Sequence, residues 1–309
     1  MTILHIKLFT NERNAHLVQA FTSLARTHAK KHAPKWQVTV VSAVDAKDAH
    51  NPHIIYLVSF PQMVNWNNWP PVKRILYQVE QFPHGYVYKR EAFWRPFISP
   101  HVIAIWDYTR ANVPHYPPVL QPKVHVVPFP PILVDPSSRS KRAPPPEGPV
   151  DVLFYGHGNA RRNRLMSVLT AVLHARGIRV RYLREVYDDT LWSHVNHAKV
   201  VLNLHYFDAD TSYLETYRLN ELLAQGASIV SELPNTADMH MANKYKAAGI
   251  EFVPAIRNYQ DLMYCVTVVE CFVRDTWRRH VAEQSGLRFV RETHSEYVNY
   301  VTKALSINA

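Results

Sequence analysis

The chain has 309 residues, 47% hydrophobic and 19% charged, a balance that excludes a disordered or fibrous chain and leaves room for two domains with real cores. Lysine and arginine number 35 against 25 acidic residues, a net charge of +10, which favours polyanionic partners or phosphorylated substrates without selecting an activity. No apolar run approaches the roughly 18–20 residues of a membrane-spanning helix.

The opening stretch, MTILHIKLFTNERN, has too short an apolar run for a signal peptide. The only cysteines, Cys265 and Cys271, do not make a Cys-x-x-Cys pair, so free thiols in a reducing, cytoplasmic compartment are expected. In chain order, residues 3–9 predict a strand, 15–32 an amphipathic helix and 37–44 a β-branched strand. Short apolar runs follow at 54–60, 74–79, 102–106 and 124–128, a pattern that points to a mostly parallel sheet. Residues 128–149, PFPPILVDPSSRSKRAPPPEGP, are proline-dense and predict an extended linker. The expected divisions are therefore 1–133, a linker at 134–149, a second domain at 150–292, and a C-terminal segment 293–309 that returns to the first domain.

After the linker the alternation restarts. Strands are expected at 150–155, 179–184, 200–204, 228–231 and 251–253, with helices at 162–176, 190–197, 261–274 and 276–291 and a separate final helix at 295–305. The class is α/β, with the second half Rossmann-like. Between the strands at 200–204 and 228–231 runs a helix carrying Glu215, Arg218 and Glu221 and stopped by Gly226. Ligands of such units bind beyond the strand carboxyl ends, near helix N-termini. The three charges are either a grip on a polar ligand or a solvated helix face.

Tyr155-Gly156-His157-Gly158-Asn159 follows one strand and precedes a helix bearing Arg161, Arg162 and Arg164. Glycine lets backbone approach a phosphate, helix N–H groups point at it, and arginine adds charge-assisted bonds. The run is neither a GxGxxG fingerprint nor a Walker A loop, and a tight turn with surface arginines is the competing reading. Asp208-Ala209-Asp210 is a DxD, a pattern that can hold a divalent metal against a diphosphate, but hard cations need several oxygen ligands in fixed geometry. His194 and His197 belong to no HExxH motif and nearby acids are sparse, so no zinc site and no metal cofactor is expected.

The order of glycine turn, arginine helix, Arg184-Glu185-Val186-Tyr187, LNLHYF, the Glu215–Gly226 helix and IVSE resembles the nucleotide-sugar-binding domain of GT-B glycosyltransferases, especially the group 1, family 4-like retaining enzymes. In that family a glutamate five residues before the glycine of an E-A-x-A-x-G helix binds the donor ribose, and Glu221 matches it. Residues 76–81, 105–109 and 124–129 are similar to the N-x-E-Q, V-W-D-Y-S and V-x-Y-V-P landmarks of viral and microbial members. A viral origin would put the protein in the host cytoplasm or nucleus. Two departures stand out. The family usually has a second glutamate eight residues before Glu221, where this chain has Tyr213, and it often has a glycine-rich loop after the first strand, where residues 9–14 contain no glycine.

The resemblance implies a GT-B fold of two Rossmann-like domains facing a cleft, and metal-independent transfer from a nucleotide-diphosphate sugar, such as a UDP-sugar, to a glycan or other hydroxyl acceptor. It implies donor contacts from Gly156, Gly158, Asn159, Arg161 and Arg164 in the turn and helix, from Val186 and Tyr187 around the base, and from His205, Glu215, Arg218 and Glu221. Arg218 is also a candidate catalytic cation. Glu80, His84 and Asp107 follow strands of the first half and are its candidate acid–base groups. A hydroxylated DNA base is an alternative acceptor, since the +10 charge and the aromatic-rich 66–94 region suit a nucleic-acid groove. A GT-B scaffold that binds without turnover is the non-enzymatic alternative.

Overall fold

The computed structural model describes residues 2–7, 36–41, 43–59, 61, 64–82, 90–129, 131, 133–135, 142–208 and 210–306. The expected helix at 15–32, the loop at 9–14 and His84 lie outside them. The chain divides into two compact units, Met1–Pro130 with Thr293–Ala309, and Pro131–Glu292. Element labels below run over the described residues.

The first unit carries a six-stranded sheet in the order β2-β1-β3-β4-β5-β6. Its strands are β1 (Thr2–Lys7), β2 (Trp36–Val41), β3 (Ile54–Ser59), β4 (Arg74–Gln78), β5 (Val102–Asp107) and β6 (Val124–Val126), and every pairing is parallel. All residues of β3 and β4 are buried, as expected of parallel strands covered on both faces. Helix α1 (Glu91–Ile98) was not legible because Pro96 lies inside it, a residue that ordinarily breaks helices. The aromatic wealth of 66–94 is largely core: Phe82, Trp94, Phe97 and Tyr116 pack edge-on against one another, and Trp66 and Trp69 flank the Arg74 guanidinium. Those described rings are engaged in packing within the unit.

The second unit carries a parallel five-stranded sheet in the order β11-β10-β9-β7-β8. Its strands are β7 (Val150–Tyr155), β8 (Val180–Leu183), β9 (Ala198–Asn203), β10 (Ile229–Glu232) and β11 (Glu251–Val253). Between them run α2 (Ala160–Ala175), α3 (Asp188–Asn196), α4 (Thr216–Ala224) and α5 (Met239–Ala247), followed by α6 (Tyr259–Arg274) and α7 (Thr276–Ser306). One apolar cluster joins β7 and β9 to α2 and α6; a second, around Leu153, Val201 and Leu222, lies under α3, α4 and α5. The two final helices expected at 276–291 and 295–305 are one 31-residue helix, because residues 287–305 contain neither glycine nor proline to interrupt the ladder. Among the described residues no helix is long and apolar enough to cross a membrane.

Candidate functional site

In the second unit β7 lies between β8 and β9. The chain leaves β7 toward one side and reaches β9 on the other, so the loops after these strands diverge and open a crevice at their carboxyl ends. Tyr155, Asn203 and Glu232 close β7, β9 and β10 at this edge. The residues that follow them build the site.

The turn after β7 is made by Gly156, at φ +135°, a region closed to L-side chains. A Cβ there would stand 3.1 Å from Arg218 Nη2 and 3.3 Å from Arg162 Nη1, so two guanidiniums converge on bare backbone. Gly158 is held small for a different reason: its Cβ would meet Asn163 Oδ1 at 2.8 Å and the Tyr182 hydroxyl at 3.1 Å. Asn159 then caps α2, its Oδ1 accepting from Arg162 N–H at 2.7 Å, which starts the helix and fixes the turn.

The arginines divide their work. Arg162 is buried, donates to Leu204 O at 2.7 Å and to Glu215 Oε1 at 3.0 Å, and stacks over Phe154 and Tyr206. Arg218 donates to Asn203 Oδ1 at 3.1 Å and pairs with Glu215 Oε2 at 3.0 Å, while its guanidinium lies 5.1 Å from the Tyr155 ring centre. Glu215 thus bridges both cations. Burial works against its charge, but Arg218 and Arg162, with His205 and the Tyr206 N–H, outweigh it and hold the carboxyl below its ordinary value.

Arg161 differs from the expected phosphate ligand. Its guanidinium forms a bidentate pair with the fully buried Glu232, at 3.0 and 2.5 Å, and donates to His205 O at 2.8 Å. Glu232 also accepts the N–H groups of His205 and Ile256, so Arg161 ties the β9 and β10 loops together with both terminal nitrogens engaged inside the fold, while its Nε lies 3.9 Å from the exposed Asp208. Arg164 is exposed on α2 and makes no hydrogen bond or ion pair among the described residues. His205 is buried, its Nε2 bonded to Leu233 O at 3.0 Å, with Nδ1 unpartnered among the described residues.

Glu221 stands one helical turn beyond Arg218 on α4. It is 8% exposed, and its carboxylate makes no hydrogen bond among the described residues. Burial pushes its pKa up to about 8, against the pull of Arg218. The Tyr155 hydroxyl is likewise buried and unpartnered among the described residues. Val186 packs on the core beneath α3, and Tyr187 is the residue that precedes that helix. Asp208 and Asp210 are exposed on the loop after β9, Asp210 paired with Arg257.

No family model matches the chain, and no curated protein matches it. Solved structures do. A sucrose-phosphate synthase from Thermosynechococcus elongatus superposes with a TM-score of 0.58 at 8% identity, over 99% of this chain and 98% of that one. Anabaena HepE, solved with UDP and glucose, gives 0.58 at 8% identity over 99% and 100%. T4 phage BGT, solved with its UDP-glucose substrate, gives 0.53 at 11% identity over 98% and 99%. The fold is GT-B.

The candidate acid–base residues of the N-terminal GT-B unit fare unequally. Asp107 ends β5 fully buried. Its oxygens accept from Thr109 N–H at 3.0 Å, from Asn112 Nδ2 at 3.1 Å and from the Tyr116 hydroxyl at 2.8 Å. A carboxylate so enclosed clamps the segment 109–116 and offers no lone pair to a substrate, which corrects its assignment as a base. Glu80 is exposed just beyond β4, and its carbonyl anchors Gln78 and Asn112. Sequence reasoning gave no role to Asn203, Glu232 or Tyr155, the last named only as the start of the glycine turn. For Glu232 a signal existed: an acid closing the apolar strand IVSE needs a buried cation.

Proposed function

We propose that the chain is a glycosyltransferase that takes a sugar from a nucleotide-diphosphate sugar, a UDP-sugar by analogy with the ligands of HepE and BGT, and passes it to a hydroxyl acceptor. The observation that carries this reading is Glu221: a nearly buried carboxylate without a partner among the described residues, one turn from an arginine at the β7/β9 switch point. An unpaired buried carboxylate is costly, and a ribose diol would satisfy both its oxygens.

In this reading Gly156 lets the diphosphate approach backbone, and the free edge of Arg218 takes up the charge that develops on the leaving group. Asn159, by capping α2, fixes the turn that presents the helix N-terminus to it. Val186 and Tyr187 border the base. Because arginine and helix N–H groups supply the positive charge, transfer needs no divalent metal. The resemblance around Glu221 favours retention of anomeric configuration, with the buried Tyr213 replacing the second family glutamate.

Calorimetry with UDP, GDP, ADP and dTDP tests donor binding directly. At pH 9, where the Glu221 carboxyl is ionised, Glu221→Ala should weaken the preferred nucleotide about 10- to 150-fold, the worth of roughly 1.5–3 kcal/mol of charged hydrogen bonding; unchanged affinity in a folded variant removes Glu221 from the site. A transfer assay with glycan acceptors and with DNA carrying hydroxylated bases, the class favoured by the +10 charge, separates the acceptor readings. Binding without transfer or hydrolysis across both panels would leave a non-catalytic scaffold.

A further inference from the structure

The guanidinium of Arg218 is restrained on three sides. Nη1 is taken by Asn203 and Glu215, and one face lies over the Tyr155 ring at 5.1 Å. Nη2 has no hydrogen bond among the described residues and sits 3.1 Å from the point a Gly156 Cβ would occupy. The two polar contacts alone fix one end of the fork and leave it free to swing about that end; an aromatic face removes the swing and adds a cation–π attraction. Tyr155 also reaches the site from a different element, the end of β7, immediately before the glycine at which Nη2 is directed.

We infer that Tyr155 is a positioning residue for diphosphate binding, its ring holding the Arg218 fork so that Nη2 faces the Gly156 turn. The inference rests on the donor reading above. It predicts a division that ordinary packing would not produce: loss of the ring should weaken the phosphate-bearing ligand and leave the nucleoside untouched. The hydroxyl has no partner among the described residues, so Tyr155→Phe breaks none of their hydrogen bonds and keeps the π face.

The test is calorimetry on the full-length protein with the best-binding nucleoside diphosphate of the four above and with its parent nucleoside. Tyr155→Phe should match wild type within about twofold for both ligands. Tyr155→Leu should lose about 5- to 30-fold for the diphosphate, the range of a partly desolvated cation–π contact, with the nucleoside unchanged. Tyr155→Met, apolar but without a π face, gives the same comparison should the leucine variant not fold. Wild-type diphosphate affinity in the non-aromatic variant, or equal losses for diphosphate and nucleoside, overturns the positioning role while the donor reading survives. If the wild-type protein binds none of the four nucleotides, the donor reading fails and this inference fails with it.

Discussion

At Glu221 burial raises the carboxyl pKa to about 8, and the consequence has a definite sign. Below the ordinary carboxylate pKa, folded and unfolded chains are both protonated and the residue is neutral in its effect. Between that value and about pH 8 the folded protein keeps a proton that the unfolded chain has released, so stability falls as pH rises. Glu221→Gln lacks this dependence. Thermal melts should show little difference between the two proteins at pH 4 and a growing advantage for the glutamine variant up to pH 9, on the order of 5 kcal/mol; parallel curves would mean that the carboxylate is already satisfied. Two ion pairs on neighbouring loops show how much environment matters. Glu232→Ala strands Arg161 in the interior and should cost about 3–5 kcal/mol. Asp210→Ala removes a partner of Arg257 in a pair whose side chains are 83% and 62% exposed, and should change stability by less than about 0.5 kcal/mol. Urea denaturation of both variants makes the comparison.

Two strands stand where patterning puts them: β7, almost wholly buried, and β11, a half-buried edge strand, begin and end at the expected residues, 150–155 and 251–253. Helices were less legible, because Pro96 masks α1 and no cap separates the halves of α7. Helix packing in the second unit depends on glycine at close approaches by Gly249 and Gly286. Gly249, just after α5, has φ +91° and its Cβ would fall 2.7 Å from Ala282 O on α7. Gly148 has φ +78° but open space around it. Gly148→Ala should therefore cost only the backbone term, about 1–2 kcal/mol, whereas Gly249→Ala adds overpacking of about 1–3 kcal/mol. Equal melting temperatures for the two variants would show that α7 can shift aside.

On the scale of the whole molecule, the proposed donor site, built at the native sheet edge, must couple to folding. At a free nucleotide concentration about 100-fold above Kd, the native state gains about 2.7 kcal/mol, a rise in melting temperature of a few degrees for a chain this long. The rise should be the same with EDTA present, since the proposed diphosphate ligands are arginine and backbone N–H. A shift that EDTA abolishes and Mn²⁺ restores would return Asp208 and Asp210 to the centre of the site.

The sequence by itself determined the α/β class, most strands of both sheets, the glycine turn after β7 and the charged helix α4, because each depends on local patterning: apolar runs, glycine placement and helical spacing. It also supplied the GT-B resemblance, carried by short runs such as LNLHYF and IVSE. What it could not decide was which charge meets which. Arg161 and Arg162 are adjacent at the start of one helix, yet one is closed off by Glu232 and the other is drawn to Glu215 beside Arg218. Asp107 looked like a free carboxylate after a strand until Asn112 and Tyr116 enclosed it. Those outcomes depend on contacts between residues far apart in sequence, and only the tertiary packing fixes the distances and the burial on which charge pairing depends.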